Sequence, residues 1–199
     1  MNPSAHFKDL NTIGMVARWQ PVHRGQKLVL EGMCRLAKQV KIGIGSAFVQ
    51  DVRNPFTTQE VKDMLQLVLE GFENYEIIPL PDMHNGPRWK TMVEVKFGKL
   101  DMFFTDNPYV TKLMGEVYNV QRPVHLVAEE DRVPISGTMV RAAMAHGVEW
   151  EHFLPEEVAA YLIENKLDKR FRIAYDTLIS ELDKEGIAIL TEDGLRDAP

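Results

Sequence analysis

The sequence predicts an α/β protein: a doubly wound, parallel, five-stranded sheet with helices on both faces and a helical extension at the C-terminus. Three observations carry this expectation. Short apolar, β-prone runs alternate with longer segments of helical periodicity along most of the chain, the pattern of parallel strands joined by crossover helices. Turn formers and helix caps follow directly behind the apolar runs, as they do where a strand end meets a helix start. The 199 residues are 45% hydrophobic, which suits one domain with a sizeable core.

The first strand is expected at 12–17, with Pro21 and Gly25 punctuating the turn behind it. A helix at 24–38 repeats Leu28, Leu30, Met33 and Leu36 at helical spacing. A second strand at 40–45 precedes a helix at 57–69, and a third at 75–80 precedes one at 89–97. The fourth strand, 100–105, leads into a helix at 109–115, and the fifth is expected to include 124–127. Ser136 or Thr138 can cap a helix at 138–146, and Pro155 starts an amphipathic helix at 156–166. A further helical pattern at 171–182 stops at Gly186, leaving 187–190 as a short apolar strand or strap. The expected organisation is thus a flexible leader at 1–10, a main domain at 11–167 and an extension at 168–199. The apolar face of that extension must be covered by the core or by a second subunit, so self-association stays open.

Lysine and arginine number 23 against 29 acidic residues, a net charge of -6, which argues against a general nucleic-acid binder because phosphate contacts demand a basic face. No apolar run is long enough to span a bilayer and the first residues lack the form of a secretory signal, so no membrane partner is expected and the expected location is cytoplasmic. The single cysteine, Cys34, lies among Leu30, Met33 and Ala37 and reads as a buried structural thiol. The six histidines are scattered, none at ligand spacing from another metal donor, so no dedicated metal cage is expected.

Chemistry concentrates behind the first strand. Arg18, His23, Arg24 and Lys27 are expected to converge where the first helix begins, and helix N-termini hold anions through unpaired N–H groups and the positive dipole end. The segment Ser136-Gly137-Thr138 offers a second such helix start, with Arg141 as a planar, permanently charged donor fork. In open α/β sheets ligands sit outside the carboxyl ends of the strands, where each of these motifs falls.

These motifs carry a resemblance. His23-Arg24-Gly25-Gln26, preceded by Arg18-Trp19-Gln20-Pro21, resembles the HxGH signature of the nucleotidyltransferase superfamily, in a form similar to the archaeal-type nicotinamide-nucleotide adenylyltransferases. Ile44-Gly45-Ser46-Ala47, Asn54-Pro55-Phe56-Thr57, Pro79-Leu80-Pro81-Asp82 and Asp106-Asn107-Pro108 follow in the same order. Ile135-Ser136-Gly137-Thr138-Met139-Val140-Arg141 stands where the ISGTxxR signature belongs. The resemblance implies a Rossmann-like fold and transfer of the adenylyl group of ATP, with Mg2+ bound mainly through the ATP phosphates, to nicotinamide mononucleotide. By the same resemblance His23, Arg18, Gln26 and Arg141 act on the transferring phosphates, while Gln20, Gly25, Gly45, Ser46, Asp106, Asn107, Ser136, Gly137 and Thr138 bind the nucleotide. Asp82, Asn85 and Trp89 would receive the acceptor, the indole stacking on a cationic pyridinium ring. The expected partners are therefore ATP and a small phosphorylated acceptor.

Two departures qualify these roles. The second motif histidine is replaced by Gln26, whose amide donates hydrogen bonds but never carries charge. Asn85 sits one residue early and is followed by Gly86-Pro87. They leave three alternatives: a different phosphate-bearing acceptor, CTP as donor, or a nucleotide-binding protein with impaired turnover.

Overall fold

The computed structural model describes residues 10–184, with side chains as far as residue 178. Strands β1 (Leu10–Ala17), β2 (Ala37–Ala47), β3 (Tyr75–Pro81), β4 (Met102–Phe104) and β5 (Val120–Gln121) form one sheet in the order β3-β2-β1-β4-β5. Every pairing is parallel. The chain winds outward from β1 to β3 through α1 (Arg24–Leu36) and α2 (Thr58–Val68), then crosses by α3 (Gly86–Phe97) to β4 on the far side of β1. The switch point, where parallel sheets place their ligands, therefore lies between the C-terminal ends of β1 and β4. Helices α4 (Pro108–Met114), α5 (Gly137–His146), α6 (Glu156–Glu164) and α7 (Leu167–Lys184) complete the chain order.

Two apolar clusters hold the layers. The larger includes Ile13, Leu30, Met33, Ile42, Leu65, Val140 and Leu162 and lies under α1, α2, α5 and α6. The smaller is built from Ile78, Leu80, Val93, Phe97, Phe103 and Met114 under α3 and α4. Close packing against the sheet requires Gly43 in β2, where an added Cβ would stand 2.6 Å from a Leu80 methyl and 2.8 Å from one of Val16. Helix α2 starts on a reciprocal cap: the Glu60 N–H donates to Thr57 Oγ1 at 3.2 Å and the Thr57 N–H to Glu60 Oε2 at 2.8 Å. Cys34 is buried and lies beside Arg35, and burial pushes its thiol up to about 12.

The expected fifth strand is displaced. It consists of Val120–Gln121, and the segment assigned to it forms a 3₁₀ turn at Pro123–Leu126. Pro123 has no N–H for the ladder and a fixed φ, so the chain leaves the sheet at that point. Helix α3 begins at Gly86, earlier than the apolar pattern implies, because Asn85 caps it and Pro87 tolerates the first turn. Leu10, assigned to the leader, already belongs to β1; residues 1–9 lie outside the described residues, as do Gly186 and the strap at 187–190. Leu167 and Phe171 of α7 are buried in the larger cluster, so the start of the extension packs on the core. Among the described residues no helix is long and apolar enough to cross a membrane.

Candidate active site

A cleft of about 650 Å³ opens at the C-terminal ends of β1 to β4. Eight of the expected site residues meet on its wall: Arg18, Gly45, Ser46, Asp82, Asn85, Trp89, Asp106 and Asn107.

On the β3–α3 side, Asn85 is the N-cap of α3 and accepts from the Arg88 N–H at 3.0 Å. Its oxygen is thus engaged by the helix, and its NH2 group is the part left for a ligand. Asp82 accepts the His84 N–H at 3.0 Å, and the Ser46 hydroxyl lies 3.5 Å from its other oxygen. Trp89 is half-buried; it packs against the smaller cluster and also lines the cleft. On the β4 side, Asn107 caps α4 by accepting from the Tyr109 and Val110 N–H groups at 2.9 and 3.2 Å. The Asp106 carboxylate accepts from Arg122 Nε at 2.7 Å.

Behind β1 the chain turns sharply. Trp19 adopts φ 58°, is almost wholly buried and donates from Nε1 to the Gly43 carbonyl at 2.8 Å. Gln20 is also buried: its amide donates to the Phe56 carbonyl and accepts the Phe56 N–H, both at 3.0 Å. The Gln20 side chain therefore staples the turn to the 54–57 loop instead of lining the cleft. His23 is the N-cap of α1 and only 8% exposed. Burial holds its pKa down to about 4, so the imidazole is neutral at pH 7 and carries a single N–H. Its Nδ1 is buried without a hydrogen-bond partner, and an added Cβ on Gly25 would lie 3.4 Å from the ring. Gln26 Oε1 accepts the His23 N–H at 3.2 Å, which leaves the NH2 end of the amide as a donor.

The expected convergence of Arg18, His23, Arg24 and Lys27 at this turn is only partly realised. Lys27 pairs with Glu157 of α6 at 2.6 Å, and Arg24 donates to the His152 carbonyl at 3.4 Å. Glu157 of α6 and the His152 carbonyl in the turn before it engage these two side chains, leaving Arg18 on the cleft wall and His23 at the helix start.

The start of α5 joins the same turn. Ser136, not Thr138, is the cap, accepting from the Met139 N–H at 3.2 Å. Thr138 Oγ1 instead accepts from Arg141 Nη2 at 3.3 Å, while Arg141 Nη1 donates to the Gln20 carbonyl at 2.6 Å. An added Cβ on Gly137 would lie 3.2 Å from that carbonyl oxygen, so backbone meets backbone here. Arg141 is 9% exposed. Burial, with the nearby charge of Arg18 adding to it, lowers its pKa to about 10, and it stays charged at neutral pH. It lies off the cleft wall, bordering a small cavity with Arg53, Thr138, Phe171 and Tyr175.

Tyr109, Gly86, Thr105 and Pro123 also line the cleft, and sequence reasoning passed them over. For Tyr109 a signal existed: it stands two residues behind the cap Asn107, in the first turn of a helix that opens at a strand end. Arg122 had none, since its partner Asp106 is 16 residues away.

A parallel sheet with a cleft at its switch point, two capped helix starts beside it and a buried arginine next to a second cation place this chain among doubly wound α/β proteins whose strand ends are suited to anions. The chain is 35% identical over 153 residues to the nicotinamide-nucleotide adenylyltransferase of Methanocorpusculum labreanum, covering 75% of this chain and 88% of that relative. It is 36% identical over 162 residues to that of Thermococcus onnurineus, with coverage of 79% and 85%. The chain belongs to the nicotinamide-nucleotide adenylyltransferase family. Its fold is similar to that of a bifunctional NMN adenylyltransferase/ADP ribose pyrophosphatase from Francisella tularensis, complexed with AMP and a manganese ion. The TM-score is 0.68 at 17% identity, over 91% of this chain and 57% of that one. Plasmodium falciparum nicotinic acid mononucleotide adenylyltransferase aligns with a TM-score of 0.55 at 12% identity, over 80% of this chain and 98% of that one. No family model matches the chain.

Proposed function

We propose that this protein transfers the adenylyl group of ATP to nicotinamide mononucleotide, forming NAD and releasing pyrophosphate. One observation carries the reading: a wall with a half-buried indole and the helix-capping Asn85 shares a single cleft with Arg18, at the end of the strand that leads into the phosphate turn.

A phosphate oxygen of the mononucleotide attacks the α-phosphorus; the new P–O bond forms as the bond to pyrophosphate breaks, so no covalent enzyme intermediate is needed. Catalysis then rests on positioning and on donors aimed at the developing charge. Arg18 neutralises phosphate from the cleft wall, and His23 offers a neutral N–H from the start of α1. The NH2 of Gln26 and the N–H groups of the first helical turn add to this anion site. Arg141 contributes charge from behind the turn and, through the Gln20 carbonyl, holds the turn's shape. Trp89 stacks on the pyridinium ring, and the Asn85 NH2 donates to the carboxamide oxygen.

The residues fit a Mg2+ ion carried in on the nucleotide. Among the described residues no three His, Cys, Asp or Glu side chains gather into a metal site, and Asp106 is already paired with Arg122. Phosphate oxygens and water would hold the ion, with Asp82 as a nearby carboxylate that has no lysine or arginine partner among the described residues. Bound there, it would supply positive charge to the phosphates.

The test is pyrophosphate release with ATP or CTP against nicotinamide mononucleotide, nicotinic acid mononucleotide and other phosphorylated acceptors, with NAD measured in parallel. ATP with nicotinamide mononucleotide is expected to give equal amounts of NAD and pyrophosphate. Release of neither from that pair overturns the proposal, and preference for another pair reassigns the substrate.

A further inference from the structure

We infer that Arg170, on the C-terminal helix α7, is a positioning residue for the nucleotide side of the active site, acting through the 54–57 loop and the Gln20 turn. The inference rests on the adenylyl-transfer reading.

The guanidinium of Arg170 grips this loop with both arms. Nη1 donates to Glu60 Oε1 and Nη2 to Glu60 Oε2, each at 2.7 Å, and Nη2 also donates to the Pro55 carbonyl at 2.9 Å. Glu60 is the third residue of the α2 cap and accepts the Thr57 N–H through Oε2 as well. One fork thus fixes both the cap of α2 and the carbonyl two residues before it. Burial works against charge on Glu60, but the bonds from Arg170 and Thr57 prevail and hold its carboxyl below the usual range.

The next residue, Phe56, is 1% exposed, and it exchanges two hydrogen bonds with the side chain of Gln20, itself 6% exposed. The Gln20 carbonyl in turn accepts from Arg141. A continuous run of contacts therefore leads from a half-exposed residue on α7 to the turn behind β1 and to the start of α5. Phe171, beside Arg170 in sequence, borders the same small cavity as Arg141, so α7 reaches this region twice.

Burial decides where the leverage lies. An exposed ion pair contributes little to stability, and the Arg170 side chain is 43% exposed. The Phe56–Gln20 exchange is enclosed and doubly bonded, so a displacement of Pro55 is transmitted to the turn and not absorbed by solvent. Misplacing phosphate donors by even a fraction of an ångström weakens what they hold.

The experiment uses the full chain and two variants, R170M and R170K, with ATP binding followed by calorimetry well below each protein's unfolding temperature. Thermal unfolding and the KM values for ATP and nicotinamide mononucleotide are measured alongside. R170M is expected to weaken ATP binding roughly two- to thirtyfold, with the KM for nicotinamide mononucleotide within about twofold of wild type. R170K should recover only part of the affinity, because an ammonium cannot span both Glu60 oxygens and the Pro55 carbonyl in the fork geometry. If R170M proves too unstable to titrate, R170K against wild type carries the same comparison. A lowered unfolding temperature with unchanged ATP affinity makes the fork a stabiliser only and overturns the inference, as do equal rises in both KM values. Wild-type protein that binds no ATP overturns the proposed function together with it.

Discussion

Acidification should destabilise this protein through His23. The imidazole caps α1, is 8% exposed, and is held by burial at a pKa of about 4 against an ordinary value of 6.5. Across that interval the unfolded chain binds a proton that the native ring does not. The stability contributed by the neutral ring is therefore complete above pH 6.5, declines as pH falls through the window, and levels off below about 4. The whole displacement corresponds to roughly 3 kcal/mol, of which roughly 2 kcal/mol is lost on going from pH 7 to pH 5. Urea unfolding of the wild type and of His23→Gln at those two pH values isolates the effect, since every other titrating group is common to both proteins. The wild type should lose roughly 2 kcal/mol more than the variant. Parallel losses in the two proteins, or an imidazole proton resonance titrating near 6.5, would refute the argument.

Three further outcomes are expected. Arg141→Ala removes a buried charge and leaves the Gln20 carbonyl unpaired, so ATP binding should weaken by about 1.5–3 kcal/mol in a calorimetric titration; unchanged affinity would take Arg141 out of the site. Trp89→Ala should raise the KM for nicotinamide mononucleotide roughly threefold to thirtyfold while that for ATP moves little, and equal changes in both would mark the indole as packing alone. Gln26→Glu preserves the oxygen that accepts the His23 N–H and suits the positive end of the α1 dipole, so the unfolding temperature should hold or rise. ATP affinity should nevertheless fall roughly tenfold as a carboxylate meets the phosphates; undiminished affinity would show that position 26 acts only as a cap.

What could be read in advance was whatever the chain expresses locally. The β1–α1 junction was visible because an apolar run, a turn and a helical period succeed one another within a short stretch, and the structure places β1 and α1 there. The cap of α5 was narrowed to Ser136 or Thr138 for the same reason, a cap being recognised by its immediate successors, and the structure selects Ser136. The early register of Asn85 also has a local cause: the residue is the cap of α3, fixed by the Arg88 N–H. Contacts between distant segments were not legible. Lys27 has the right charge at the right turn, yet its partner Glu157 is 130 residues away. Gln20 looks like a ligand residue from its motif, but its amide is matched by Phe56, 36 residues on. The fifth strand failed for a different reason: two residues are too few to show a period, and the apolar run that does show one lies behind Pro123.

The two packing units of the sheet lie beneath different parts of the cleft. Trp89, Met92 and Val110 rest on the smaller cluster beneath α3 and α4, whereas Trp19, Val22, Phe56 and Val140, which shape the phosphate side, belong to the larger one. Substitutions around Trp89 are therefore absorbed by a compact group of eight buried residues under α3 and α4, while the turn behind β1 is anchored in the larger cluster. Such an arrangement is modular: the packing beneath Trp89 can be rebuilt by substitution without disturbing the core that supports the turn behind β1.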